Sequence, residues 1–128
     1  MREVLLDSSI AIASFKNDPS ILEHLSKVQA VVTTTVLGEL YTGAYLATKR
    51  GQQLAYIAGL IANSVVLPSD QGTAERFGFI KADLQNRGQM IPVNDIWIAA
   101  SALQHRMPLA TRDEHFKNVT GLIIEPWK

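Results

Sequence analysis

The 128 residues contain no cysteine. Disulfide frameworks, thiolate nucleophiles and cysteine-based zinc sites are therefore excluded, and a reducing compartment is compatible with the chain. No apolar run approaches the roughly 18 residues that cross a bilayer, and Met1–Asp7 meets charge too soon for a signal peptide. The cytoplasm is the expected location, with no membrane partner. An excess of one charge is also missing. Twelve Lys+Arg balance twelve Asp+Glu, for a formal net charge of zero, which at first sight argues against a polyanionic partner. Repeats, low-complexity tracts and linker-like stretches are absent too. What is present is a composition 47% hydrophobic and 19% charged, that of a globular chain, at a length suited to a single domain over 1-128.

Five short apolar runs read as strands: Glu3–Asp7, Ala30–Thr34, Ser64–Pro68, Pro108–Thr111 and Gly121–Glu125. Val4-Leu5-Leu6, Val65-Val66-Leu67 and Leu122-Ile123-Ile124 are continuously apolar. That pattern belongs to parallel strands covered on both faces rather than to half-exposed antiparallel ones. Helical punctuation lies between them. Asp18-Pro19 caps a helix with Ile21, Leu22, Leu25 and Val28 on one face. Thr35 opens a helix expected to run to Lys49-Arg50 and stop at Gly51, and Gln52–Ala62 forms another on Leu54, Ile57, Leu60 and Ile61. Ser69 or Asp70 starts a helix with Ala74, Phe77, Ile80 and Leu84 inward, ending at Gly88. A further helix runs from Asn94 to about Arg106, and a short one follows Asp113. The alternation predicts an α/β fold, a three-layer α/β/α sandwich with a central five-stranded parallel sheet. The apolar content of Val36–Tyr45 and Leu54–Ile61 exceeds what one sheet face requires, so part of it is expected to form a dimer or partner surface.

Four acids interrupt apolar stretches where a buried segment ends or a helix begins: Asp7, Glu39, Asp95 and Asp113. Parallel α/β sheets build their sites outside the carboxyl ends of the strands, and all four are expected to converge there. Each has a bland alternative as a cap or turn residue, least easily Glu39, which sits within an apolar helical stretch. Carboxylates are seldom buried unless paired or metal-bound, and no cationic partner recurs beside all four. A hard oxygen-donor set suits Mg²⁺ or Mn²⁺ rather than Zn²⁺. Such an ion activates water and stabilises charge on a phosphate, which makes a phosphodiester the natural substrate. With the four acids set aside, twelve basic residues face eight acidic ones, or +4, so nucleic acid becomes permissible. His24, His105 and His115 are not spaced as a metal set. His115 and Arg112, beside Asp113, are within reach of a phosphate but are not assigned to catalysis. Trp97, Tyr41 and Tyr45 read as packing residues.

The motifs Leu5-Leu6-Asp7-Ser8-Ser9, Leu37-Gly38-Glu39-Leu40-Tyr41-Thr42-Gly43-Ala44, Pro92-Val93-Asn94-Asp95-Ile96-Trp97-Ile98-Ala99-Ala100-Ser101-Ala102 and Leu109-Ala110-Thr111-Arg112-Asp113-Glu114-His115-Phe116 follow in order along nearly the whole chain. In these the chain resembles the PIN-domain nucleases, specifically the small toxin ribonucleases of the VapC type. The resemblance implies a PIN-like five-stranded sheet, a Mg²⁺ or Mn²⁺ cluster of Asp7, Glu39, Asp95 and Asp113, and endonucleolytic cleavage of RNA. It also implies a cognate antitoxin and a homodimer. Ser9 and Thr111, the hydroxyl of a Thr-x-Asp element, are carried over as supporting polar residues, and Ser8 stands where the family often has threonine. Neutralising any of the three aspartates is expected to abolish cleavage while folding survives or improves. Competing readings are a housekeeping RNA-processing nuclease, a catalytically silent PIN scaffold, and a phosphoacceptor receiver domain. The last needs an acidic pair after its first strand, where this chain has Asp7-Ser8-Ser9.

Overall fold

The computed structural model describes residues 1–128. Five strands, β1 (Glu3–Leu6), β2 (Gln29–Thr33), β3 (Val65–Leu67), β4 (Leu109–Ala110) and β5 (Ile124–Glu125), form one sheet in the order β3-β2-β1-β4-β5. Every pairing is parallel. Six helices separate them: α1 (Ser8–Phe15), α2 (Pro19–Leu25), α3 (Thr34–Leu46), α4 (Arg50–Ala62), α5 (Gln71–Arg87) and α6 (Val93–Gln104). A 3-10 turn spans Glu114–Asn118.

The central strand shows why the sequence demands this arrangement. Successive residues of a strand point to opposite faces, yet Val4, Leu5 and Leu6 of β1 are all without solvent exposure. Both faces must therefore be covered by helices. Leu5 pairs with Val31 of β2 on one side and with Leu109 of β4 on the other. From β1 the chain winds outward through β2 and β3, then crosses back to β4 and β5. The reversal lies between β1 and β4, where open α/β sheets form a crevice at the strand carboxyl ends. Asp7 follows β1 and Thr111–Asp113 follows β4, so both strand ends carry acids into that crevice.

Local signals explain most boundaries. Asp18 accepts from the amides of Ser20 and Ile21 to cap α2. Asp70 and Thr73 form a reciprocal capping box for α5, and Gly88, at φ 66°, closes that helix in the left-handed conformation. Phe77 stacks on Trp97 at 4.1 Å, fixing α5 against α6. Beyond β5, Trp127 is buried and stacks on His24 at 4.9 Å.

Several boundaries differ from the sequence reading. Helix α1 was not anticipated. Thr33 rather than Thr35 caps α3, its hydroxyl accepting from the amide of Val36 at 3.1 Å. The same helix ends at Leu46, and Gly51 lies in the first turn of α4 instead of stopping α3. The cause is burial: Ala44 is the last buried residue of α3, while Ile57 of the next segment must return to the core. Ala47 turns extended, at ψ 151°, to let it. In α5 the inward residue of the first turn is Thr73, and Ala74 is exposed. Leu22 is likewise exposed, and Val28 is buried only after α2 has ended. Helix α6 starts at Val93 behind Pro92, which puts Asn94 inside its first turn. Of the apolar residues expected at an interface, Tyr41 and Tyr45 are exposed at 36% and 56%, while Leu37, Leu40 and Ile57 belong to the core; Leu46, just beyond that stretch, is 83% exposed. No helix is long and apolar enough to cross a membrane.

Candidate active site

Asp7 is buried at the end of β1 and is also the N-cap of α1. Its amide donates to the carbonyl of Ala110 at 3.0 Å, locking the ends of β1 and β4 together. One carboxylate oxygen accepts from the amide of Ser8 at 2.7 Å. The other accepts from the hydroxyls of Ser9 at 2.9 Å and Thr111 at 2.8 Å. The Thr111 hydroxyl in turn accepts from the amide of Asp113 at 2.9 Å. Ser9 and Thr111 thus orient Asp7, and Thr111 also fixes where the chain delivers Asp113. Arg112, between them, turns to the Asp18 carboxylate at 3.0 Å and the Trp127 carbonyl at 2.7 Å. It does not line the cleft, contrary to its expected reach toward a phosphate.

Asp113 caps the 3-10 turn by accepting from the amide of His115 at 2.9 Å. That turn folds the His115 ring back, so that Nδ1 lies 3.2 Å from Asp113 and 3.4 Å from Asp95. Asp95 sits in the first turn of α6, its side chain only 11% exposed. Glu39 enters from the second turn of α3, half-buried, and its Oε1 is buried with no hydrogen-bond partner.

The four acids line one cleft of about 570 Å³, together with Ser8, Ser9, Asn94 and His115. Its electrostatics are unbalanced. Asp95 is pushed up to about 6, first by burial and then by the Asp7 and Asp113 carboxylates, with His115 opposing. Glu39 is raised by burial, then by Asp7 and Asp95. Such a set of carboxylates is balanced by a cation. Ligand atoms of Asp95, Asp113 and His115 lie within 4.8 Å of one another, and the bare Oε1 of Glu39 is an unused hard donor. The residues present fit a divalent metal.

His115 was missed as a member of this group. Its ring serves two carboxylates rather than a set of histidines at mutual ligand spacing, and the signal in the sequence is its place two residues after a capping aspartate.

The PIN domain sequence profile matches residues 4–122. The chain belongs to the PIN domain family. Within that family it is 32% identical to the Ribonuclease VapC2 of Haemophilus influenzae, with 99% of each chain covered. It is 29% identical to the tRNA(fMet)-specific endonuclease VapC of Shigella flexneri, again over 99% of each. Among solved structures, DNA-bound VapBC from Salmonella typhimurium superposes with a TM-score of 0.92 at 28% identity, covering 100% of both chains. The five-stranded parallel sheet is thus a PIN sheet, and the acid cleft lies at the carboxyl edge of that PIN domain.

Proposed function

We propose that this PIN domain is a divalent-metal-dependent endoribonuclease, acting in the cytoplasm as the toxin of a toxin–antitoxin pair. The observation that carries the reading is a single cleft in which four chain segments place carboxylates without matching positive charge. The names of the ribonuclease relatives support the choice of RNA, and the VapBC neighbour supports an antitoxin partner. Asp7, Glu39, Asp95 and Asp113 would hold Mg²⁺ or Mn²⁺. When bound, such an ion lowers the pKa of water and stabilises charge on the phosphate and its leaving oxygen. The chain's own contribution is positional. Ser9 and Thr111 hold the Asp7 carboxylate in one orientation. His115 places Nδ1 within reach of both Asp95 and Asp113 and so holds the two side chains in register. The whole chain acts as one domain, and exposed Tyr45 and Leu46 offer apolar surface to a second copy or to the antitoxin.

Cleavage of single-stranded RNA with Mg²⁺ tests this directly. Asp113→Asn keeps the capping acceptor for the His115 amide but weakens a hard ligand, and it should lower cleavage by about a hundredfold or more. Cleavage indifferent to EDTA, or undiminished in the folded variant, would leave the acids structural and refute the reading. A housekeeping RNA-processing nuclease keeps the same chemistry. Growth arrest on expression, relieved by the same substitution, separates the toxin from it.

A further inference from the structure

Three concavities meet at Glu39. The acid cleft is one. A second, about 420 Å³, is walled mainly by apolar groups that include Ile12, Phe15, Leu40 and Ala44, with Lys16 and Gln53 among its polar members. The third, about 620 Å³, runs between α3 and the start of α6 and is lined by Thr34, Thr35, Gly38, Glu39, Thr42 and Asn94. It has no apolar side chain in its walls. Since Glu39 and Asn94 line both this groove and the acid cleft, the two are continuous.

A polymer cut at the acids must leave the cleft along the surface, and the two exits differ in chemistry. On the apolar side, Lys16 and Gln53 could meet a phosphate, but most of the wall would take water from ribose and phosphate oxygens without replacing it. On the hydroxyl side they exchange water for threonine hydroxyls and an amide, the groups that proteins use to position a sugar–phosphate backbone. A partner peptide anchored by apolar side chains has nothing to bury in the third groove.

We propose that this groove is a subsite for single-stranded RNA, carrying the ribose–phosphate chain on one side of the cleaved bond through Thr35, Thr42 and Asn94. The proposal rests on the nuclease reading above and assigns its substrate a path. Thr42 adds a discriminating element. Its hydroxyl donates to the carbonyl of Gly38 at 2.9 Å, so its proton is committed and its oxygen is left to act as an acceptor in the groove that Thr42 lines. An acceptor there suits the 2′-hydroxyl of ribose, a donor that deoxyribose lacks.

Gly38 supplies the test. It is exposed, and a Cβ added there meets nothing within 4 Å. Gly38→Leu therefore fills the groove from a helical position where leucine is the better helix former. Purified protein with Mg²⁺ is assayed on two substrates, a single-stranded RNA oligonucleotide and the small phosphodiester bis(p-nitrophenyl) phosphate. Gly38→Leu should raise KM for the oligonucleotide about tenfold, the value of one or two hydrogen bonds, while kcat/KM for the small ester stays unchanged. Thr42→Val should weaken RNA binding several-fold and leave binding of the 2′-deoxy oligonucleotide unchanged.

An unchanged oligonucleotide KM in Gly38→Leu would overturn the subsite. Equal losses on both substrates would trace the effect to the acids and overturn it as well. A change of oligomeric state by light scattering, with KM unchanged, would assign the groove to contact between copies. Wild-type protein that hydrolyses neither substrate would instead refute the nuclease reading, and the proposal with it.

Discussion

Replacing Asp95 by asparagine should make the metal-free fold more stable at neutral pH and leave the protein inactive with Mg²⁺ at every pH. The carboxyl is pushed from 3.8 up to about 6, with burial the largest cause and the Asp7 and Asp113 carboxylates next. A displacement of about two units at 1.36 kcal/mol each puts the cost of ionising Asp95 in the fold on the order of 3 kcal/mol. The sign follows from proton linkage. Between about pH 4 and pH 6 the folded protein holds this proton more tightly than the unfolded chain, so stability falls as pH rises through that window. Above it the cost is fully present; below it, absent. Asparagine carries no such cost, though it weakens the approach of His115 to Asp95, 3.4 Å away. The net gain at pH 7.5 should be about 1–3 kcal/mol, vanishing near pH 4. Because Asp95 also helps raise Glu39, the variant removes repulsion at both positions.

Urea denaturation in EDTA at pH 4.5 and 7.5 measures this, with the denaturant slope as a check that the unfolded reference is unchanged. A difference between variant and wild type that is the same at both pH values would mean packing, not charge, governs the site. A wild type whose metal-free stability rises from pH 4.5 to 7.5 while the variant's does not would reverse the sign of the argument.

Two further outcomes follow from the same carboxylates. Mg²⁺ at a hundred times its Kd should stabilise the wild type by about 2.7 kcal/mol and more weakly at pH 5 than at pH 7.5, since binding must displace the Asp95 proton; differential scanning calorimetry with no Mg²⁺-dependent rise in Tm at pH 7.5 would contradict the cation site. Asp7→Asn should cost about 1–3 kcal/mol of stability at neutral pH, because an amide nitrogen cannot accept from both Ser9 and Thr111; urea midpoints equal to or above wild type would show that those hydroxyls are readily satisfied elsewhere.

The strands and two of the four acid positions, Asp7 and Asp113, were readable for one reason: both signals are local. A strand buried on both faces must be continuously apolar, and an acid at its end breaks that run visibly, as Val4-Leu5-Leu6-Asp7 does. Glu39 was readable as an anomaly in an apolar helix. Helix α1 was not, because Ser8–Phe15 has no usable face. Ile10 and Ala11 point into the core while the adjacent Ile12 lines the cleft, so apolar residues surround the helix. The α3–α4 break was hidden because the decision is made at a distance. Lys49, Arg50 and Gly51 form a reasonable helix ending, but Ile57 can reach the core only if the chain reverses before them. His115 escaped because a 3-10 turn, not a helical repeat, brings its ring to two carboxylates.

The four acids also proved unequal, and the sequence could not show it. Read as a set, each was expected to tolerate neutralisation or gain from it. In the fold, Asp7 is a saturated acceptor, gathering the amide of Ser8 and the hydroxyls of Ser9 and Thr111 while ending β1 and starting α1. Both of its oxygens already have donors within the protein. Asp95 and Glu39 are the opposite case, one buried and one half-buried with too few donors, and raised first by that burial and then by their neighbours. Anchoring one carboxylate fixes a reference point at the end of the central strand. Leaving two others under-solvated ensures that the site gains most from a cation. The same substitution, aspartate to asparagine, should therefore loosen the fold at position 7 and tighten it at position 95, although both should abolish cleavage.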